Sequence, residues 1–453
     1  MNDLDAFELH TVHNWITASE EERGAIVRGN QERVRKGVAH WNEWISGLSR
    51  WVCDNKAAVC IYFNDSEWVG NTNFKGFQFD QGVSFCRARF VADEAGRGNV
   101  DFSGSTFDGQ YLSFTNATFF GDVSFESATL SNCLTNFVGA VFHGGAIFNY
   151  SEFNRPLSFR SATFKGNEAL FEEVNLEGVF VNFDGAEFSG SVTRFRGLSF
   201  QGVSFSHAIF SSNVVFKDVR FHGSCDLQNA DFRKVLSFID CTFEQVPDFN
   251  FVTFKQPPHL ATMLIPWLPK GPNGVPNTEA YRKLKQMAKD VGDYEHELSY
   301  FAHELHSKLT LESTSNAHKL GIVMYRVLSC FGQSLVRPLA WALIIFGVTA
   351  VIQWAALVER PSLSDIKENW QLECKLEKDG VDPLTAIARE RLNAALIILP
   401  ADRMEQVRIS RCLYGDEGYK PFWLSVMNDL HSLLSAACLF LFGLGVRNRF
   451  KMK

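Results

Sequence analysis

Three of the twelve histidines, His296, His303 and His306, crowd into the segment YEHELSYFAHELH. Imidazole ligates metals and moves protons near neutral pH, so chemistry is sought here first. The spacing does not suit it. HELH lacks the HExxH interval that sets two imidazoles on one helical face around a general base, and no second ligand cluster accompanies it. A solvated helical face fits these residues better. The ten cysteines include no CxxC pair, so zinc-ribbon and thioredoxin-like chemistry have no support. Most of them suit small buried apolar positions. GPNGVPN lacks the GK[ST] of a phosphate-binding loop, and neither GxGxxG before a helix nor GxSxG occurs. Carboxylates are plentiful but scattered. No catalytic, cofactor-binding or metal-ligating residue is assigned, and the expectation is a protein that is not an enzyme and uses no cofactor.

The chain has 453 residues, room for two or three domains, and a net charge of −7, which offers no basic footprint for nucleic acid. Its bias is phenylalanine: 42 in all, of which 33 lie between Phe74 and Phe254. So local a bias means a repeat. Large apolar residues recur at Phe107, Phe114, Phe119, Phe125, Leu130, Phe137, Phe142, Phe148, Phe153, Phe159 and Phe164, mostly in steps of five and then six or seven, and the series continues through Phe188 and Phe210. Two places before the second member of each pair sits a small residue, such as Ala117, Ala128, Ala140 or Ala162.

Neither a helix nor an alternating strand has this period. A chain that turns a corner about every five residues does. Each side of a square coil supplies one large inward side chain, and the small residue fills the corner. Coils stack at the strand spacing of about 4.8 Å, so the rings form ladders, and the repeat region makes about eight coils. Glycines follow the second Phe in FDG, FHG, FKG and FSG (Gly109, Gly144, Gly166, Gly190), where the expected role is a positive φ at a wider corner. In these features the chain resembles the pentapeptide-repeat family in its phenylalanine-rich variant. The resemblance implies a mainly β fold, a right-handed quadrilateral β-helix over 71–256, here flanked by α-helices and a C-terminal two-helix transmembrane module.

Residues 1–70 read as an N-terminal helical cap. Ser19 with Glu22 forms a capping box, and Ile26, Val34, Val38, Trp41, Ile45 and Leu48 fall on one face. GVAHWNEWI resembles the G…WNxW segment that precedes the coils in membrane-linked pentapeptide proteins. Six of thirteen prolines lie in 255–277, so 257–277 reads as a Pro-rich linker, with HLATMLIPWL closing the far end of the coil. Residues 278–333 read as a cytosolic helical hairpin, divided at Gly292, that resembles the YRxLKxxAxxxGD hairpin of the same proteins.

The last domain, 334–453, is apolar. PLAWALIIFGVTAVIQWAALV, 338–358, has 21 residues without a charge, enough for a hydrocarbon layer of about 30 Å. A second span covers 422–446, provided Asp429 faces protein or water. Lys319, Arg326 and Arg337 precede the first span, and Arg447, Arg449, Lys451 and Lys453 follow the second. The positive-inside rule then puts both termini in the cytosol and the loop 359–421 outside the cell inner membrane. If that compartment is oxidising, Cys374 and Cys412 of the loop form a disulfide; otherwise they are two thiols. Within the loop, DPLTAIARERLNAALIILP is a helix too short and too charged to span. Span, short helix, span resembles a two-span ion-channel pore module, with Asn393, Ala394, Ile397 and Pro400 in the pore helix. The tail GLGVRNRFKMK resembles the LxLRNRFR ending of pentapeptide proteins with this module. No TVGYG-type filter follows Pro400, so potassium selectivity has no support.

Three functions follow. One is a pore-like membrane protein, contacting lipid and forming a homo-oligomer because one pair of spans cannot enclose a path. Another is a membrane-tethered scaffold whose β-helix binds an unknown protein partner. The third is DNA mimicry toward a topoisomerase. From 74 to 254 there are about 20 acidic against 13 basic residues, an excess too modest for a phosphate-like field, which argues against a nucleic-acid-related role.

Overall fold

In a computed structural model of the chain, the residues described are 15, 17–55, 59–260, 262–271, 274–358, 383–395, 409, 413–414 and 422–451. Two compact units divide at Thr310 and Leu311.

The first unit is a β-solenoid of nine parallel coils. One face stacks eight strands from Cys60–Tyr62 to Cys225–Asp226, the next nine from Glu67–Val69 to Thr253–Phe254, and the third eight from Thr72–Asn73 to Leu236–Ile239. The fourth face is split into four strands from Gln78–Phe79 to Glu152–Phe153 and three from Ser199–Phe200 to Thr242–Phe243. The register carries each Phe onto the Phe one coil away, as in Phe119 on Phe142 and Phe142 on Phe164. Phe107, Phe114, Phe119, Phe125, Phe142, Phe164, Phe188 and Phe210 are all buried. Rings along a ladder stack face to face, Phe114 over Phe137 at 5.0 Å and Phe119 over Phe142 at 5.1 Å between centroids. Rings from different sides meet edge to face, as Phe102 and Phe114 do at 5.5 Å. Both geometries suit the aromatic quadrupole.

The corners correct the expected role of glycine. Positive φ falls one place before the small inward residue, and mostly on side chains that are not glycine: Arg87, Asn116, Ser127, Tyr150, Ser161 and His207. Gly144, Gly166 and Gly190 do not have positive φ. A Cβ on Gly166 would lie 1.9 Å from the Gly144 carbonyl oxygen, and one on Gly190 the same distance from that of Gly166. Glycine is needed there because successive backbones touch at that corner.

The coil also starts earlier than the phenylalanine spacing indicates, inside the 1–70 segment assigned to a helical cap. Its first turn places Phe63 and Trp68 where later coils carry paired phenylalanines. Helices α1 (Glu20–Arg35) and α2 (Val38–Asn55) cover that turn. The capping box forms, with Glu22 N–H donating to Ser19 Oγ and Ser19 N–H to the Glu22 carboxylate. Trp41 is fully buried against Phe63, Phe77 and Phe79, and its Nε1 donates to the Gln78 carbonyl at 2.7 Å. Asn30 and Asn42 donate to the Tyr62 and Gly76 carbonyls. An open sheet edge is thus closed by side chains.

At the other end the expected linker, 257–277, is partly a ninth coil. His259 bridges Ser237, and Leu264 bridges Thr242. Helices α3 (Thr278–Asp290) and α4 (Tyr294–Lys308) form a hairpin behind it. Tyr281 is buried, and its hydroxyl accepts from Leu268 N–H and donates to the Pro266 carbonyl, which pins the proline-rich chain. His303 and His306 are not solvated as expected. They pack on the Tyr281 and Trp267 rings, while His296 pairs with Asp293. Burial, with His306 nearby, pushes the His303 pKa down to about 4. Among the described residues no three metal-ligating side chains gather.

The second unit contains α5 (Asn316–Ser329), α6 (Val336–Val358), α7 (Pro383–Ala395) and α8 (Phe422–Lys451). The third helix of the expected 278–333 segment, α5, packs with α6 and α8. Val336–Ala356 and Phe422–Phe450 are long and apolar enough to cross a membrane, and both are mostly exposed, unlike the core helix of a soluble domain.

Candidate functional site

The solenoid interior is filled by aromatic rings, which leaves no lumen for a substrate. Polar side chains gather instead among α6, α7 and α8. On α6, Thr349 and Gln353 are four residues apart and share one face. On α8, Asn428, His431 and Ser435 fall at i, i+3 and i+7 and form a stripe. Helix α7 starts on Pro383, whose missing N–H costs nothing in a first turn, and brings Glu390 and Arg391 between the two long helices.

Gln353 is the hub and is fully buried. Its Oε1 accepts from Arg391 Nε at 2.6 Å, and its Nε2 donates to Glu390 Oε2 at 2.5 Å and to the Tyr414 hydroxyl at 2.8 Å. Asn428 Nδ2 donates to Glu390 Oε1 at 3.3 Å, tying α8 to the same carboxylate. One turn away, the Thr349 hydroxyl bonds His431 Nδ1 at 2.9 Å. The Thr349 hydroxyl also lies 2.8 Å from the Ile345 carbonyl, the usual acceptor of a helical threonine.

Satisfaction is incomplete. Arg391 is fully buried, yet among the described residues both terminal guanidinium nitrogens lack a partner, as do Asn428 Oδ1, His431 Nε2 and Ser435 Oγ. Buried charge among apolar helices is costly, and most native buried polar atoms are paired. Among the described residues this set carries unpaired donors on Arg391 beside unpaired polar atoms on Asn428, His431 and Ser435, a chemistry that suits a small ion, a proton or water.

The expected pore-helix residues are placed only in part. Asn393 and Ala394 lie on α7 and are half-buried, but Glu390 and Arg391 of the same helix make the polar contacts. Ile397, Pro400, Cys374 and Cys412 lie outside the described residues. Asp429 is exposed on the surface of this chain. Glu390, Arg391, Gln353 and His431 were missed by sequence reasoning. The available signal was a charged pair in a short helix between two apolar runs, where ionisable residues mark function by default.

The solenoid carries a second feature. Tyr111, Leu134, Pro156 and Phe180 occupy one outward column over four successive coils. Leu134, Pro156 and Phe180 are exposed. The Tyr111 and Phe180 rings lie on Gly82 and Gly202, where a Cβ would stand 2.7 and 2.9 Å from them.

Residues 183–231 match the family model described as Pentapeptide repeats (9 copies). No curated protein and no solved structure matches the chain. The matched segment runs from the sixth coil into the eighth, and the same register continues on both sides of it.

Proposed function

We propose that this chain, a phenylalanine-rich pentapeptide-repeat solenoid joined to two apolar helices, is an integral membrane protein whose two-span unit assembles into an ion-conducting oligomer. Helices α6 and α8 cross the bilayer. The solenoid and both termini lie on the cytosolic side, where Lys319, Arg326, Arg337, Arg447 and Arg449 collect. One observation carries the conduction: the polar set of Gln353, Glu390, Arg391, Asn428 and His431 between helices that are otherwise apolar. A mere anchor has no use for a buried polar set, because replacing the whole set by apolar residues of similar volume is often neutral or stabilising. Several copies arrange around an axis, since two helices cannot enclose a path. The solenoid then serves as the rigid cytosolic element that senses or binds a partner.

The test is ion flux through full-length protein in liposomes, with the oligomer counted in the same preparation. Flux that disappears in Arg391→Met supports conduction. A monomer without flux overturns it. A second reading, a membrane-tethered scaffold, rests on the outward column of Tyr111, Leu134, Pro156 and Phe180, of which the last three are exposed. Its test is partner capture by the full chain, compared with a Leu134→Asp/Phe180→Asp variant.

A further inference from the structure

Helix α5 precedes the first apolar helix, and its sequence, NAHKLGIVMYRVLS, contains no acidic residue. Leu320, Val323, Met324 and Val327 fall at i, i+3, i+4 and i+7, which is one face of a helix. In a water-soluble packing that face is buried. Here all four are open, at 61, 42, 48 and 46% exposure, while Ile322 and Ser329 on the opposite side are buried against the rest of the unit. Lys319 and Arg326 border the open stripe on one flank.

The end of α5 is held in place. Cys330, Phe331 and Gly332 all have positive φ, which turns the chain sharply into α6. Trp341 Nε1 donates to the Val327 carbonyl, and Asn448 Nδ2 donates to that of Gly332, both at 3.3 Å. The start of α6 and the end of α8 therefore meet at the C-terminal end of α5. Exposed Arg337, Arg447 and Arg449 sit at that same level. The open apolar surface continues from α5 onto Val336, Leu339 and Leu343 of α6.

We infer that α5 lies in the membrane–water interface, with its apolar stripe in the headgroup–acyl boundary and its cations on anionic lipid headgroups. This rests on the spanning of α6 and α8 proposed above. Lipid fits better than a second copy for two reasons. The stripe is continuous with a surface that must itself face acyl chains, and apposed copies of α5 bring cations together with no acid on either helix to offset them. The stripe supplies apolar area, and each cation near an anionic surface contributes roughly five-fold in affinity.

The experiment uses the full chain in nanodiscs of neutral lipid, with and without roughly one-third anionic lipid. A benzophenone amino acid replaces Leu320, Val327 or, as the control, Leu343 of α6, and products of illumination are read by mass. Lipid adducts at Leu320 and Val327, enriched in anionic lipid, are expected. The Lys319→Gln/Arg326→Gln variant should lose that enrichment by a factor of five or more. A cross-linked dimer at Leu320 overturns the inference in favour of a second copy. Adducts at Leu343 with none at Leu320 overturn it while the spanning stands. No adduct at Leu343 defeats the spanning itself. Enrichment unchanged by the double substitution overturns the headgroup contact.

Discussion

The solenoid and the apolar helix unit bury side chains by opposite rules. Across nine coils the solenoid leaves one described buried side-chain atom without a partner, Asp231 Oδ1. Its interior is ring upon ring, with backbone groups paired coil to coil. The smaller unit leaves five such atoms on Arg391, Asn428, His431 and Ser435. A core built for rigidity excludes unpaired polar groups, because each costs desolvation with no return. A core that keeps them does so for chemistry at the site. The first region is packed with rings throughout, and the second keeps the polar set on which the proposed conduction rests.

This contrast can be broken at either end. In the solenoid, Phe148 stacks on Phe125 and Phe171 with no exposed atom to spare. Phe148→Ala should cost about 3–5 kcal/mol, seen as a large fall in the denaturation midpoint. A loss under about 1 kcal/mol shows the ladder to be slack. In the helix unit the sign should reverse. Arg391→Met alone would orphan Gln353 Oε1 and leave Glu390 without its counter-charge, so the joint variant Gln353→Leu/Glu390→Leu/Arg391→Met is the one that should hold stability or raise it by about 1–4 kcal/mol while flux falls. Loss of both stability and flux makes the polar set a structural element, and the contrast collapses.

Smaller effects sharpen it. Gly166→Ala sets a methyl against the Gly144 carbonyl and should cost about 1–3 kcal/mol, although Gly166 has no positive φ. Slowed hydrogen exchange at that corner, instead of faster, contradicts the close-approach role. The α3–α4 hairpin, between the two extremes, should respond to pH. His303 is held neutral, with its pKa near 4 against an ordinary value of 6.5. Between these values the unfolded chain binds the extra proton, so stability is full above about pH 6.5 and declines toward pH 4. The loss approaches about 2–3 kcal/mol. His303→Asn, matched in size and unable to titrate, should flatten that slope. A slope that persists assigns it elsewhere, beginning with Glu304. Burial opposes ionisation of that carboxylate, but hydrogen bonds from Lys285 and Lys308 outweigh it and lower its pKa.

Much of the solenoid was legible in the chain because a corner every five residues imposes a period that few other folds share. Phe114, Phe119, Phe125 and Leu130 alone establish four sides. Its ends were not legible. Phe63 and Trp68 carry the first coil without the repeated residue type, and His259 and Leu264 carry the last among prolines. The role of glycine was misread for a related reason. Spacing marks the corner but does not tell a left-handed φ from a backbone passing within touching distance.

In the apolar unit, hydropathy located two helices and a short one between them, because twenty apolar residues in a row have few other uses. It did not locate the site. Gln353, the adjacent Glu390 and Arg391, and His431 come from three separate segments of the chain, and each taken singly is an ordinary polar residue. The sequence by itself determined what repeats and what is too apolar for water, since both are local properties of successive residues. Only the tertiary structure decided which backbones touch, which histidines are covered, and which polar groups share one buried volume, since these depend on distances between segments that no local pattern encodes.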